Sequence, residues 1–161
     1  MININIRIIE KEGFRVVGLK RRLSRETLND GIGEMWKSLT KNDMEQLQTL
    51  NESSHGKMPM GVYANMYDDK TTDYFIAVES TKDCPEGFSE YRLPKTDWAI
   101  CEITGALPNA IAEAFSYVFN DWLPDAEYEY TNQAEIEWYS EGDMSQDDYK
   151  SEIWIPVRKK S

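Results

Sequence analysis

The chain has 161 residues, 29 of them acidic and 18 basic, for a formal net charge of −11 at pH 7. A surface of that sign repels phosphate backbones and argues against nucleic-acid binding through counterion release, so cationic or neutral partners fit better. Apolar residues make up 40% of the chain, enough for a single domain over 1–161, and no apolar run approaches the ~20 residues of a membrane-spanning helix.

The amino-terminal MININIRIIEKEGF alternates instead of forming the apolar block of a leader, and the expectation is a soluble cytoplasmic protein. Cys84 and Cys101 are isolated and supply neither a zinc framework nor a redox motif, so no metal or other cofactor is expected. The one histidine, His55, lies in the polar run NESSHGK and reads as a solvated loop residue.

In chain order, Ile4, Ile6 and Ile8 mark a first strand and FRVVGLK (14–20) a second. Leu28, Ile32, Met35, Trp36 and Leu39 then form one helical stripe, with Thr27 and Asp30 before it at capping-box spacing. NDMEQLQTL (42–50) is polar and amphipathic. With the Ser/Gly/Lys loop up to Met58 it reads as a surface excursion, the alternative being a short lid helix that closes the site over 42–58. GVYANMY (61–67), DYFIAVE (73–79) and DWAICEI (97–103) follow as strands. A second stripe of Ile111, Phe115, Val118, Phe119 and Trp122 has Pro108 near its first helical position. EIEWY (135–139) and EIWIPV (152–157) close the chain as strands.

The two helical stripes share one set of offsets, and Asp73, Phe75, Ile76 and Val78 correspond to Glu152, Trp154, Ile155 and Val157 at a constant separation. The predicted fold is therefore α+β, a duplicated β-α-β-β unit with halves at about 3–80 and 88–158, related by a pseudo-twofold axis with a central ligand cleft.

Strand parity assigns faces. Glu135, Glu137 and Tyr139 alternate with Ile136 and Trp138, and Trp154 alternates with Ile153, Ile155 and Val157. Val62, Ala64 and Met66 read as a core face opposite Tyr63, Asn65 and Tyr67, while Phe75 opposes Tyr74, Ile76 and Val78. Collecting the second set of faces gives an aromatic and acidic surface of Tyr63, Tyr67, Phe75, Tyr139 and Trp154 with nearby glutamates. Such a surface suits a cation with apolar bulk, since rings attract cations and a carboxylate supplies the counter-charge. Rings filling a closed second core are the alternative.

These segments resemble the GyrI-like small-molecule-binding domains, which also form the effector-binding part of AraC-type and multidrug-responsive transcriptional regulators. The resemblance rests on FRVVGLK, Trp36, MGVYANMYDD, DYFIAVE, TGALPNAIAEAFSYVFNDWLP and the closing EIEWY and EIWIPV pair. Its most telling elements are Glu137 and Tyr139 as Glu-x-Tyr, and Ile155, Pro156 and Val157 as a terminal IPV. The resemblance implies two SHS2-like units around a ligand cleft, and recognition of lipophilic cations through rings and a buried glutamate that Glu137 matches best. No helix-turn-helix segment is present in the sequence, so a stand-alone binding protein is the closer analogy.

Three functions follow as expectations. The first is binding of a small hydrophobic or cationic ligand by Glu137, Tyr139, Tyr63, Phe75 and Trp154, with Trp36 and Glu135 as secondary contacts. The second is hydrolysis of an electrophile with Glu137 as general base and Tyr139 assisting. The third is interaction with a protein partner such as gyrase or another DNA-handling enzyme through exposed acids such as Asp143, Asp147 and Asp148. Residues 121–152 hold 11 acidic side chains and one basic one, so the chain's negative charge belongs to the region around Glu135 and Glu137 and the hairpin after it.

Overall fold

A computed structural model describes residues 3–161 as two compact units. One is Phe14–Leu93, and the other joins Pro94–Ser161 to residues 3–13. Among the described residues, nine strands and three α-helices make it an α+β protein.

The central unit, Phe14–Leu93, runs β2 (Phe14–Ser24), α1 (Leu28–Lys37), α2 (Lys41–Leu50), β3 (Met60–Met66), β4 (Thr71–Glu79) and β5 (Ser89–Leu93). Its strands lie antiparallel in the order β3-β4-β2-β5. Alternate residues of β4, Tyr74, Ile76 and Val78, form a buried layer with Met35 of α1 and Leu47 and Leu50 of α2. The segment 42–50 is thus a helix packed on its sheet and not a plain surface excursion, because Leu47 is fully buried and Leu50 nearly so. The capping box also belongs here. Thr27 makes no side-chain cap at α1, whereas Thr40 and Asp43 cap α2 reciprocally, Thr40 Oγ1 accepting from the Asp43 N–H and Asp43 from the Thr40 N–H, both at 3.0 Å.

The terminal unit contains β1 (Asn3–Lys11), β6 (Thr96–Thr104), α3 (Asn109–Tyr117), a π-helical turn at Val118–Trp122 and a 3₁₀ turn at Leu123–Asp125. After these come β7 (Tyr128–Tyr130), β8 (Glu135–Tyr139) and β9 (Lys150–Lys159). The strand order is β8-β9-β6-β1, with β7 also on β9. Ala99, Cys101 and Ile103 of β6 and Ile153, Ile155 and Val157 of β9 pack under Ala110, Ile111, Ala114 and Val118. Burial pushes the Cys101 thiol up to about 12, with the charges of Glu102 and Glu152 adding to it.

The two units share one plan, since β3-β4-β2-β5 and β8-β9-β6-β1 are the same order of equivalent strands. The halves differ from the expected 3–80 and 88–158 in their outer strands. β1 precedes β2 in sequence but pairs with β6 along its whole length, from Asn3 opposite Thr104 to Lys11 opposite Thr96. Its Ile4, Ile6 and Ile8 join the apolar layer under α3. Conversely β5 precedes β6 but pairs with β2. Hydrophobic alternation identifies a strand, but says nothing about which neighbour will cover it.

Among the described residues no helix is long and apolar enough to cross a membrane.

Two glycines give opposite predictions. A Cβ on Gly18 of β2 would lie 2.0 Å from the Ile76 carbonyl oxygen and 2.5 Å from Ala77 Cα, while one on Gly33 of α1 meets nothing within 4 Å. Gly18→Ala is expected to lose ~3 kcal/mol of stability in urea denaturation by overpacking. Gly33→Ala is expected to gain roughly 0.5–1 kcal/mol by helix propensity.

Candidate functional site

The site is built on the terminal unit by one register. β8 pairs with β9 so that Glu137 lies opposite Ile153, Tyr139 opposite Ser151, Ile136 opposite Trp154 and Trp138 opposite Glu152. Opposed residues of an antiparallel pair share a face. Glu135, Glu137 and Tyr139 therefore stand on the side of Ile153 and Ile155, the side covered by α3. Ile136, Trp138, Trp154 and Glu152 stand on the reverse side.

Both glutamates are buried, Glu137 at 4% and Glu135 at 9% exposure. Each accepts a hydrogen bond from a phenol: Tyr139 Oη donates to Glu137 Oε1 at 2.6 Å, and Tyr130 Oη donates to Glu135 Oε2. Tyr130 is held by the helical side of the unit, its ring meeting Phe119 of the π-helical turn edge-on at 5.2 Å. Burial raises the Glu135 carboxyl above its ordinary value, the Tyr130 hydrogen bond opposes that, and the Glu137 charge adds to it. Burial also raises the Tyr130 phenol, helped by the Glu135 charge and by its hydrogen bond to Glu135.

The reverse side is aromatic. Trp154 lies 5.8 Å from Trp98 and 5.5 Å from Trp138, and donates Nε1–H to Glu152 Oε1 at 2.9 Å. Trp154 and Glu137 thus lie on opposite faces of the same sheet, which corrects the single aromatic and acidic surface expected from parity. Each strand's alternation was assigned properly, but the pairing that relates one strand's faces to the next is not written in either strand.

In the central unit, Tyr63 pairs with Tyr74 and Val62 with Phe75. Tyr63 consequently faces the helices, packing on the α1 and α2 layer with its ring edge-on to Tyr74 at 5.2 Å. Val62 takes the reverse side, the inverse of the expected parity for that strand. A bulge between Tyr63 and Met66 then switches faces, so Asn65 and Tyr67 return to the side of Asp73. Trp36 of α1 joins the helix-facing set by donating Nε1–H to Tyr74 Oη at 2.9 Å.

Phe75 lies on the reverse side, 5.8 Å from Tyr91 of β5, which reaches it across β2. Beside it the buried Asp73 carboxylate accepts from Asn65 Nδ2 at 3.0 Å and from Tyr67 Oη at 2.7 Å.

Within one unit the structure therefore unites Glu135, Glu137 and Tyr139. Within the other it unites Tyr63 and Trp36, and it sets Phe75 and Trp154 on the reverse faces. Tyr130 is the residue missed; its signal was the YEY run five residues before EIEWY, on a strand too short to register by alternation. Asp143, Asp147 and Asp148 are exposed, and Asp143 is engaged in its own turn, accepting from the Ser145 N–H and hydroxyl at 2.9 and 2.6 Å.

A buried carboxylate beside a phenol can serve as counter-ion or as base. The signature of the family described as Cass2, integron-associated effector binding protein, matches residues 7–157. No curated protein matches the chain. Among solved structures, SAV2435 bound to tetraphenylphosphonium aligns with a TM-score of 0.83 at 20% identity, over 96% of this chain and 94% of that one. An integron cassette protein from the mobile metagenome of Vibrio cholerae aligns at 0.65 and 18%, over 98% and 99%. The C-terminal domain of EcmrR aligns at 0.65 and 16%, over 98% and 99%.

Glu135 gives a pH prediction. Because its folded carboxyl is raised, its contribution to stability is present below the ordinary carboxyl value and is lost as pH rises through the folded value. The melting temperature of Glu135→Gln relative to wild type should therefore climb from mildly acid to neutral pH. A difference that stays flat across that range would show the carboxyl is not raised.

Proposed function

This chain belongs to the integron-associated effector-binding protein family, and from that premise we propose that its effector is a small organic cation, with Glu137 as counter-ion. The observation that carries the reading is a carboxylate at 4% exposure on the apolar, helix-facing side of β8, anchored by Tyr139 at 2.6 Å.

A carboxylate in such a layer costs several kcal/mol to desolvate, and a ligand cation recovers much of that. Tyr139 and Tyr130 offer ring faces and edges beside it, which favour cations with aromatic or alkyl bulk. Tyr139 spends its hydroxyl proton on Glu137, which fixes the carboxylate's orientation before ligand arrives. The fold-alike that carries tetraphenylphosphonium supports the same ligand class. Exposed acids of the hairpin after β8, such as Glu141, Asp143 and Asp147, draw cations toward this unit by their field.

The test is a tryptophan-fluorescence titration with tetraphenylphosphonium and with tetraphenylborate, which has the same shape and the opposite charge. Wild type should bind the phosphonium more tightly by at least about a hundredfold, and Glu137→Gln should weaken it by about tenfold or more, ~1.4 kcal/mol per decade. Equal affinity for the two ions, or an unchanged phosphonium affinity in Glu137→Gln, would remove the counter-ion role.

A further inference from the structure

The second acid of β8 has no role in that reading, and its surroundings give it one. Glu135 lies two residues from Glu137 on the same face, about 7 Å along the strand. It is buried, and among the described residues it forms no ion pair: its partner is the neutral phenol of Tyr130. The ionisable groups packed on this face are the Tyr128, Tyr130 and Tyr139 phenols and the Cys101 thiol. β9 contributes Ile153, Ile155 and Ser151, β1 contributes Ile4, Ile6 and Ile8, and the helical segment contributes Phe115 and Phe119, its acids Glu113, Asp121 and Asp125 being exposed.

Ser151 stands opposite Tyr139, buried at 4%, and its Oγ has no hydrogen-bond partner among the described residues. A buried hydroxyl that the folded chain leaves unsatisfied marks a place where a further group is accommodated. The face therefore holds two acids, two phenol anchors and an unused hydroxyl, and no basic side chain on Glu135.

We propose that Glu135 is a charge-selecting residue of the cation site: beside a singly charged ligand it keeps its proton, and to a doubly charged ligand it yields that proton and becomes the second counter-ion. The inference rests on the reading of Glu137 as counter-ion. Glu135 stands too close to the Glu137 carboxylate, in too apolar a layer, to take its own charge without a compensating positive centre. The direction in which burial and Glu137 move the Glu135 carboxyl agrees with this. The proton leaves to solvent, and the carboxylate that remains faces the ligand's second positive centre, with Tyr130 Oη donating to it. The ligand class that fits is an aromatic dication whose charges lie about as far apart as alternate residues of a strand.

The experiment uses methyl viologen as dication and 1-methyl-4-phenylpyridinium as its singly charged counterpart, titrated calorimetrically into the full chain in buffers of different ionisation enthalpy. Wild type should release about one proton on binding methyl viologen and nearly none with the monocation. Glu135→Gln should abolish the release and lower the dication-to-monocation preference about tenfold. Tyr130→Phe keeps the acid and the ring, so it should retain the proton release while weakening methyl viologen several-fold. Equal release with both ligands, or an unchanged preference in Glu135→Gln, overturns the proposal while leaving Glu137 as counter-ion. Equal loss of both ligands in the two variants assigns Glu135 a structural role and also overturns it. Failure of wild type to bind either cation overturns the underlying reading as well.

Discussion

The pairing of β8 with β9 sets the chemistry of this protein. With Glu137 opposite Ile153, two carboxylates enter a layer otherwise made of aliphatic and aromatic side chains. A shift of one residue would turn both glutamates to the tryptophan side and bring Ile136 and Trp138 under α3. The register is held from the reverse side, where Ile136 and Trp138 are already buried and Trp138 packs on Trp154, a burial that a slip would give up. Apolar packing thus imposes the unfavourable burial of the acids. The phenols of Tyr130 and Tyr139 soften it by each donating a hydrogen bond to a carboxylate oxygen.

The duplicated plan makes the asymmetry between the units informative. Tyr74, Ile76 and Val78 in one unit correspond to Ile153, Ile155 and Val157 in the other, and the residue opposite Tyr74 is Tyr63 where the residue opposite Ile153 is Glu137. One unit carries a ring where its counterpart carries an acid. On the reverse faces the correspondence is closer, with Asp73 and Phe75 matching Glu152 and Trp154. There each acid has a local donor, Tyr67 and Asn65 for Asp73 and the Trp154 indole for Glu152. Those acids serve their own strands, whereas Glu137 and Glu135 under α3 each accept from a phenol, Tyr139 and Tyr130.

The fold was legible in the sequence to the extent that it depends on local periodicity. The two amphipathic stripes became α1 and α3 with its following turn, and the seven alternating segments became strands close to their expected limits. The separation relating Phe75 to Trp154 anticipated the shared strand order. Relations between strands were not legible. Trp154 and Glu137 look like partners in sequence and stand on opposite faces, because a period of two labels each strand's sides only relative to itself. The bulge after Tyr63 inverted a parity in the middle of a strand, a change for which GVYANMY offers no residue signal. The amphipathic segment 42–50 allowed a short helix only as an alternative, because its polar composition hid how firmly Leu47 and Leu50 of α2 are packed. The buried glutamate itself was found through family resemblance, and Tyr130 was not found at all.

The outer strands have a further consequence, for the order of assembly. β1 leaves the ribosome before its partner β6, which follows only after the whole of Phe14–Leu93 has been made, with Asn3 finding Thr104 and Lys11 finding Thr96. At ~5–20 residues per second the interval is several seconds. During that time the strand bearing Ile4, Ile6 and Ile8 has an open edge, while the central unit, continuous from Phe14 to Leu93, already holds every one of its own strands. Asn5, Arg7 and Glu10 interrupt that edge with polar and charged side chains, the kind of guard that keeps an unpaired strand from joining another chain. Asn5 and Arg7 later find Glu102, which accepts from Asn5 Nδ2 and Arg7 Nε at 3.2 and 3.1 Å, and Glu10 finds Lys95, so what protects the nascent strand also fastens it in place.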